Sequence, residues 1–401
     1  MLPHIIEWLN LTFRWLHVIV GVAWIGASFY FVWLENNLER LKAELPEDIA
    51  GDLWAIHGGG FYYLRKFKVA PKELPKHLHW FKWEAYMTWV TGICLLIIVY
   101  YMNASTYMVD TNVANISPAT SIGIGVGALV VGWGFYDILC RTPLLKKPAI
   151  FLVVMFAFLT ACAYGLQQYL SPRAAYIHIG AMIGTMMAGN VFFVIIPGQK
   201  KLVAAAEAGR EPDPWDGIYG GLRSRHNNYF TLPVLFIMTS NHFPMTYGNE
   251  WGWAILAALS AVGVAVRHHF NVRHRTNSAF WVMPVGVLVV AGLAWFTAPA
   301  GTGGEQYEKL ANFRTVSFQE AQTVVSTRCW SCHSSTPTDD VFKVAPNGVI
   351  FDTPEGMQKY AGRMKVRAYD LKTMPMANKT QITDEERLIL GAWVFQGAKI
   401  E

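Results

Sequence analysis

Charged residues are scarce in this chain and unevenly distributed. They make up 15% of the 401 residues, against about 25% in an ordinary soluble protein. The deficit falls on the first 300 residues, because residues 301–401 hold 12 basic and 12 acidic side chains. We therefore expect an apolar domain at residues 1–300, a linker at 301–315 and a soluble domain at 316–401.

Several familiar signals are missing. No G-x-G-x-x-G follows a predicted strand, so nothing supports a nicotinamide- or flavin-binding fold. The run HGGG at 57–60 has no accompanying G-x-S-x-G, which a hydrolase would need. The N-terminus lacks a basic leader and a small-residue cleavage site, so we expect no cleaved signal peptide. The net charge of +5 comes from loops between apolar stretches and does not indicate nucleic-acid binding.

Long apolar stretches, by contrast, are abundant. A helix that crosses a bilayer needs about 20 mostly apolar residues, and eight stretches approach or exceed that length. The sixth is the weakest, because it is polar at both ends and contains Pro233. The stretches are residues 8–34, 82–102, 118–140, 148–170, 172–197, 226–245, 250–270 and 278–300. The predicted fold is all-α, with a polytopic eight-helix transmembrane domain.

Basic residues distinguish the two sides of the predicted membrane. Lys and Arg concentrate in the loops after the first, third, fifth and seventh stretches, whereas the loops after the second, fourth and sixth hold Arg173 alone. Because Lys and Arg favour cytoplasmic loops, we expect a multi-pass protein of a bacterial inner membrane. Both termini and the soluble domain then lie in the periplasm.

The segment CWSCH at 329–333 is a C-x-x-C-H motif, which is typical of covalent haem c attachment. Cys329 and Cys332 would form thioethers to the haem, and His333 would ligate its iron. A zinc site would need a second ligand pair nearby, and residues 334–401 contain no Cys or His. A redox dithiol would need a βαβ pattern, which the sequence does not show. The motif therefore predicts haem c.

The second axial ligand of the iron is expected from LKTMPMANKT, which offers Met374 and Met376. A thioether ligand raises the reduction potential of a haem. Pro375 keeps Met374 out of a helix, so we favour Met374 and retain Met376 as the alternative.

Helix-start patterns surround the haem motif. Ser317-x-x-Glu320 and Thr383-x-x-Glu386 are capping boxes, and Thr353 precedes a Pro that opens a middle helix. These elements predict a small helical domain like a class I cytochrome c.

Polar side chains interrupt the apolar stretches, and ionisable residues within a membrane are functional candidates by default. Arg14 and His17 are three residues apart and share one helix face. With the orientation above, the outer half holds Arg14, His17, His178, Asn241 and His242. The inner half holds His57, His79, Glu84, Asp137, Arg141, Arg223, Arg225, His226, Arg267, His268 and His269.

Three interpretations of these histidines stay open. They form a polar pocket for a planar substrate, they ligate one or two b-type haems between facing helices, or they are hydrogen-bonded at helix ends without a further role. His226 and His242 would lie about 24 Å apart on one helix at 1.5 Å per residue, one near each membrane face.

Three segments of the membrane part and the haem motif together resemble a known family. RWLHVIVGVAWIGASFYFVWLEN, HGGGFYYLRKF and RHNNYFTLPVLFIMTSNHFP, joined to CWSCHS and TMPMAN, resemble the membrane-bound bacterial urate oxidases, also called urate hydroxylases. The resemblance covers essentially the whole chain. It implies oxidation of urate to 5-hydroxyisourate with water as the oxygen source. The electrons would pass through haem c to an external cytochrome c or another respiratory acceptor.

The resemblance also frames hypotheses about the catalytic residues. Arg14, or Arg223 with Arg225, would hold the urate anion, because a guanidinium matches planar oxygen pairs. A His or Glu84 would accept the proton. The predicted catalytic set is Arg14, His17, Glu84, His178, His226 and His242.

Two questions stay open at the level of sequence. A pocket at the cytoplasmic face would lie about 30 Å from the cytochrome and would need haem b or another relay, whereas a pocket in the outer half would face haem c directly. The alternative functions are a purine transporter or sensor with a fused cytochrome, and a cytochrome-linked dehydrogenase of another small molecule or of a quinol.

Overall fold

The computed structural model describes residues 2–40, 45–71, 73–273, 279–298 and 305–400. The first part of the chain contains α1 (Leu2–Asn37), β1 (Ile49–His57), β2 (Gly60–Phe67), α2 (Trp83–Leu95), α3 (Ala104–Tyr107), α4 (Pro118–Arg141), α5 (Pro148–Gln167), α6 (Pro172–Gly189), α7 (Ile196–Glu207), α8 (Pro214–Ser240), α9 (Pro244–Tyr247), α10 (Gly252–Val272) and α11 (Val282–Phe296). The last part contains α12 (Glu305–Ala311), α13 (Phe318–Arg328), α14 (Pro354–Lys359), α15 (Ala361–Met364) and α16 (Asp384–Phe395). Three segments of wider π-helix continue α2, α6 and α15 at Leu96–Tyr101, Asn190–Ile195 and Lys365–Asp370.

Six helices of the described chain are long and apolar enough to cross a membrane. Helices also occupy the other two predicted stretches, but one is too polar and the other too short to count as a candidate span. α8 has 27 residues and is too polar, and α11 is apolar but has 15 residues. For six of the eight predicted stretches, the structure thus has a helix that is long and apolar enough to be a candidate span. The six spans are His4–Asn37, Trp83–Tyr101, Pro118–Arg141, Pro148–Gln167, Pro172–Glu207 and Gly252–Val272.

The described chain is mostly helical, as predicted, but it is not all-α. β1 and β2 pair as an antiparallel hairpin between α1 and α2. The HGGG run forms its turn, in which Gly58 and Gly59 have φ of 57° and 81°, the left-handed conformation that a two-residue hairpin loop requires at both positions. Aromatic residues in FYYLRKF favour a strand, but the segment is too short and too polar to appear among long apolar stretches.

Glycines allow α4 to lie close against α6. A Cβ atom on Gly125 would overlap the ring of His178, and one on Gly132 would overlap Met182. Small residues at such positions are what close helix contact in a membrane requires, and both glycines belong to the glycine-rich run GIGVGALVVGWG at residues 123–134.

The C-terminal helices begin where the sequence predicts. Both capping boxes are present, at Ser317 with Glu320 and at Thr383 with Glu386. The hydroxyl of Thr353 accepts a hydrogen bond from the amide of Gly356 at 3.1 Å. These helices enclose a hydrophobic core that includes the almost fully buried Trp393, Leu390 and Met357.

Helix α12 lies within residues predicted to be linker. Its Leu310 is 1% exposed and belongs to the C-terminal core, and the ring of Tyr307 meets that of Phe395 at 5.1 Å. Residues 301–304, the start of the predicted linker, lie outside the described residues.

The C-terminal domain rests on one end of the helical bundle, where α3, α9 and the start of α6 lie. The Asn378 side chain donates to the side chain of Asn112 at 3.2 Å, and the rings of Tyr107 and Phe342 are 6.3 Å apart. A Cβ atom on Gly248 would lie 2.5 Å from Thr373. This is the end whose loops carry almost no Lys or Arg, the end predicted to face outward.

Candidate functional site: a cavity between the bundle and the C-terminal domain

A cavity of about 690 Å³ lies between the bundle and the C-terminal domain, within the size range of ligand and cofactor sites. One wall carries the haem-motif residues Cys329, Cys332 and His333 together with both methionines of the TMPMAN segment. The opposite wall is the outer end of the bundle. It contributes Tyr107, Arg173, Asn241, His242 and Tyr247.

The C-x-x-C-H segment forms a tight turn directly after α13. The amides of Cys332 and His333 both donate to the carbonyl of Cys329, at 3.2 and 2.8 Å. Nδ1 of His333 lies 3.0 Å from the Val349 carbonyl, so Nδ1 carries the proton and Nε2 keeps a lone pair. A metal-binding histidine is held by its second nitrogen in this way.

Burial affects the two thiols in a way that bears on their chemistry. It raises the pKa of the Cys329 thiol to about 12 and also raises the pKa of Cys332. A reactive dithiol needs a thiol whose pKa is lowered, so this environment does not favour redox exchange. Among the described residues no group of three or more His, Cys, Asp or Glu side chains could hold a metal ion.

The segment that carries the two methionines is held by a buried arginine. Arg387 is 3% exposed, and its Nη1 donates to the carbonyls of Met374 and Ala368 at 2.6 and 2.5 Å. The amide of Met374 in turn donates to the Arg367 carbonyl at 3.0 Å. Met374 and Met376 both line the cavity, so the choice between them stays a prediction.

The bundle wall is organised around Arg173, in the first turn of α6. Its Nε donates to the Asn241 side-chain oxygen at 3.3 Å, which also accepts from the Tyr100 hydroxyl at 3.1 Å. The guanidinium lies 5.4 Å from the centre of the Tyr107 ring. Among the described residues no carboxylate forms an ion pair with Arg173.

Basic side chains outnumber acidic ones in the lining of the cavity, although Arg328, Lys372 and Lys379 each pair with a carboxylate. Asp110 is the single acidic residue among the described residues that line it. The basic lining residues are Arg173, Arg328, Arg363, Arg367, Lys372 and Lys379. Such a lining favours anionic ligands, including carboxylate groups of a cofactor or a substrate.

Only one of the six predicted catalytic residues, His242, lines this cavity. It lies just beyond the end of α8 and is exposed. Arg14 is exposed on α1, where its Nε donates to Asn10 at 2.8 Å. His17 is half-buried with Nδ1 3.0 Å from the Thr91 hydroxyl.

His178 is fully buried inside the bundle. Its Nδ1 lies 2.8 Å from the Ala174 carbonyl, and its Nε2 lies 3.2 Å from the Tyr101 hydroxyl. The two rings stack at 5.8 Å. Both nitrogens are therefore already engaged, and Gly125 packs against the ring.

His226 belongs to a separate polar network in the other half of the bundle. Its Nδ1 lies 3.0 Å from the Tyr136 hydroxyl, which accepts from Asn190 at 2.8 Å. Arg223 is 0% exposed, and its Nη2 binds Asp137 at 2.6 Å.

Glu84 lies apart from the cavity. It is in the first turn of α2, and one of its carboxylate oxygens is buried without a hydrogen-bond partner among the described residues. The structure thus distributes the predicted catalytic set among several places.

Sequence reasoning noticed Arg173 only as a loop charge. Two signals single it out. It is the one basic residue in the loops of its side, and it stands in the first turn of a helix, where the macrodipole disfavours a cation. A basic residue at this position therefore indicates a role other than stabilising the helix.

The fold and the cavity define a class: a bundle of long apolar helices whose lysine-poor end faces a small helical domain with a C-x-x-C-H motif. The family model for the urate oxidase N-terminal domain matches residues 3–298. The chain belongs to this family. No similar protein was found among curated proteins, and none among solved structures.

Proposed function

We propose that this chain oxidises urate at the outer end of its helical bundle and passes the electrons to a haem c attached at Cys329 and Cys332. Family membership supports urate as the substrate. One structural observation carries the choice of site, because the C-x-x-C-H motif and the polar wall around Arg173 face each other across a single cavity.

The reaction sets the demands on the protein. The urate monoanion and one water give 5-hydroxyisourate, one proton and two electrons. The added oxygen comes from water, so no molecular oxygen is consumed. The site must hold a planar anion, accept a proton and lie next to an electron acceptor.

Residues of the bundle wall meet the first two demands. Among the described residues no carboxylate forms an ion pair with the Arg173 guanidinium, and a guanidinium binds planar oxygen pairs in a fork. The Tyr107 ring beside it offers an aromatic face, and Asn241 offers an amide. His242 is the residue that would accept the proton, because its imidazole lines this wall and can act as a general base.

The opposite wall fits a haem c. Cys329 and Cys332 would carry the thioether bonds, His333 would ligate through Nε2, and Met374 would be the second ligand, with Met376 as the alternative. When bound, the haem supplies a one-electron acceptor that an external cytochrome c or another respiratory carrier empties between the two electrons. The basic lining of the cavity suits the haem propionates as well as urate.

The inner-half network suits substrate binding less well. Arg223 is already paired with Asp137, so its charge is not available to an anion. Electrons from that half would also need a relay across much of the bundle, whereas a substrate beside Arg173 lies in the same cavity as the haem motif. The proposed site therefore requires no haem b.

We also propose that the bundle spans a bacterial inner membrane with eight helices and that the C-terminal domain lies in the periplasm. The distribution of Lys and Arg supports this orientation, and the domain rests on the lysine-poor end. α8 is polar enough to miss the criterion for a span, but its Arg223, Asn227 and Asn228 are buried inside the bundle and do not face lipid.

Replacing Arg173 tests the site. Arg173→Ala is expected to lower kcat/KM for urate about 10- to 100-fold, the loss typical of a charge-assisted hydrogen bond, and Arg173→Lys should lose less. Steady-state urate oxidation under nitrogen with ferricyanide as acceptor measures this. Arg14→Ala, which changes an exposed arginine outside the cavity, should leave kcat/KM within about twofold of the unsubstituted protein. A loss in Arg14→Ala with none in Arg173→Ala would move the site to α1 and contradict the proposal.

A further inference from the structure

A second, smaller pocket lies at the opposite end of the bundle, between the ends of α1 and α10. Its volume is about 130 Å³. The lining residues are Phe29, Trp33, Asn36, Arg267, Phe270, Asn271 and Arg273. The proposed oxidation does not use this pocket.

Arg267 is a buried arginine whose charge indicates that the pocket binds an anion. It is 8% exposed, and its Nε donates to the side-chain oxygen of Asn228 at 2.8 Å. Its guanidinium lies 3.8 Å from the centre of the Phe29 ring. No acidic side chain in the described part of the chain forms an ion pair with it. A buried charge without a counter-charge is costly, so an anion in the pocket would offset that cost.

Asn271 lines the same pocket and has a buried hydrogen-bond acceptor. It is 7% exposed, and its side-chain nitrogen donates to Asn228 at 2.9 Å. Its side-chain oxygen is buried without a partner in the described chain. A ligand that satisfies both residues needs an anionic group for Arg267 and a hydrogen-bond donor for the Asn271 oxygen.

The surroundings of the pocket point to a lipid. Trp33 and Phe270 are 36% and 39% exposed at the helix ends, and aromatic residues at such positions are typical of the membrane–water interface. Basic pockets between transmembrane helices at the cytoplasmic side bind anionic lipid head groups. The pocket is large enough for a phosphate group and a few atoms beside it, and a lipid's acyl chains would lie on the apolar helix surface outside.

We propose that this pocket binds the head group of an anionic glycerophospholipid, with the phosphodiester on Arg267 and a head-group hydroxyl donating to Asn271. Phosphatidylglycerol has both features. Phosphatidylethanolamine and phosphatidylcholine carry the same phosphodiester, but a cationic amine in the head group cancels its charge; phosphatidylethanolamine keeps a hydrogen-bond donor, whereas phosphatidylcholine has none. The inference rests on the proposed membrane placement but not on urate oxidation.

The test uses the full-length protein, delipidated in detergent and then supplied with one lipid at a time. Native mass spectrometry counts retained lipid, and thermal unfolding reports stabilisation. We expect retention in the order phosphatidylglycerol, phosphatidylethanolamine, phosphatidylcholine. Arg267→Gln should bind phosphatidylglycerol about tenfold more weakly. Arg210→Gln removes an exposed charge from the same end of the bundle and should bind normally.

The outcomes separate the inference from its alternatives. Equal retention of the three lipids by the unsubstituted protein would overturn it, even if Arg267→Gln does not fold. A thermal shift caused equally by inorganic phosphate, or by urate, would assign the pocket to a small anion and also overturn it. Release of the protein from membranes by alkaline carbonate would instead refute the membrane placement itself.

Discussion

Replacing both Cys329 and Cys332 by Ser is expected to abolish covalent haem attachment completely, because thioether bonds require the two thiols. Haem staining after denaturing electrophoresis should detect haem on the unsubstituted chain and none on the double variant. Urate oxidation under nitrogen should disappear with it. Cys162→Ser, which changes a half-buried cysteine of α5, is the matched control and should retain both the stain and the activity.

Single methionine variants then separate attachment from ligation. Met374→Ala should keep its covalent haem and lose the long-wavelength absorption band of methionine-ligated ferric haem, together with a fall in reduction potential. Met376→Ala should keep both properties. The reverse pattern would assign the ligand to Met376. Covalent haem on the double cysteine variant would contradict the assignment of the motif.

The second large effect is expected at the buried ion pair. Asp137→Leu leaves Arg223, which is 0% exposed, without its carboxylate, and breaking a buried pair in this way costs about 3–5 kcal/mol. Thermal unfolding in detergent should show a clear fall in the midpoint. The double variant Asp137→Leu with Arg223→Met should recover most of that loss, because it removes the uncompensated charge.

An exposed arginine that binds the same carboxylate provides the control. Arg141 also binds Asp137, at 2.7 Å, but its side chain is 69% exposed. Arg141→Ala should therefore change stability by only about 0–1 kcal/mol. If Asp137→Leu were no more destabilising than Arg141→Ala, the network would not stabilise the bundle as the structure implies.

Local patterns predicted the C-terminal helices well. A capping box needs only residues within one turn of each other, so Ser317 with Glu320 and Thr383 with Glu386 fixed two helix starts. The HGGG run contains the two glycines, Gly58 and Gly59, that form the hairpin turn. The strands beside it were missed, because hydropathy alone does not reveal a short polar hairpin.

The sequence does not predict which helices contact one another. α8 begins at Pro214, 12 residues before the predicted apolar stretch. Its polar first turns are mostly exposed, and hydropathy alone therefore does not reveal that they are helical; Arg223 is the buried residue among them. The cavity depends on which ends of α3, α6 and α8 meet the C-terminal domain. Arg173 therefore looked like one loop charge, and its neighbours Asn241 and Tyr107 lie 68 and 66 positions away in the chain.

The central claim is that urate gives its electrons to a haem c on this chain. A visible spectrum of the purified, oxidised protein under nitrogen, before and after urate is added, tests it most directly. Reduced c-type bands should appear with urate and not with xanthine, while urate absorbance falls. A haem that stays oxidised while urate binds would contradict the account and favour a transporter or a sensor.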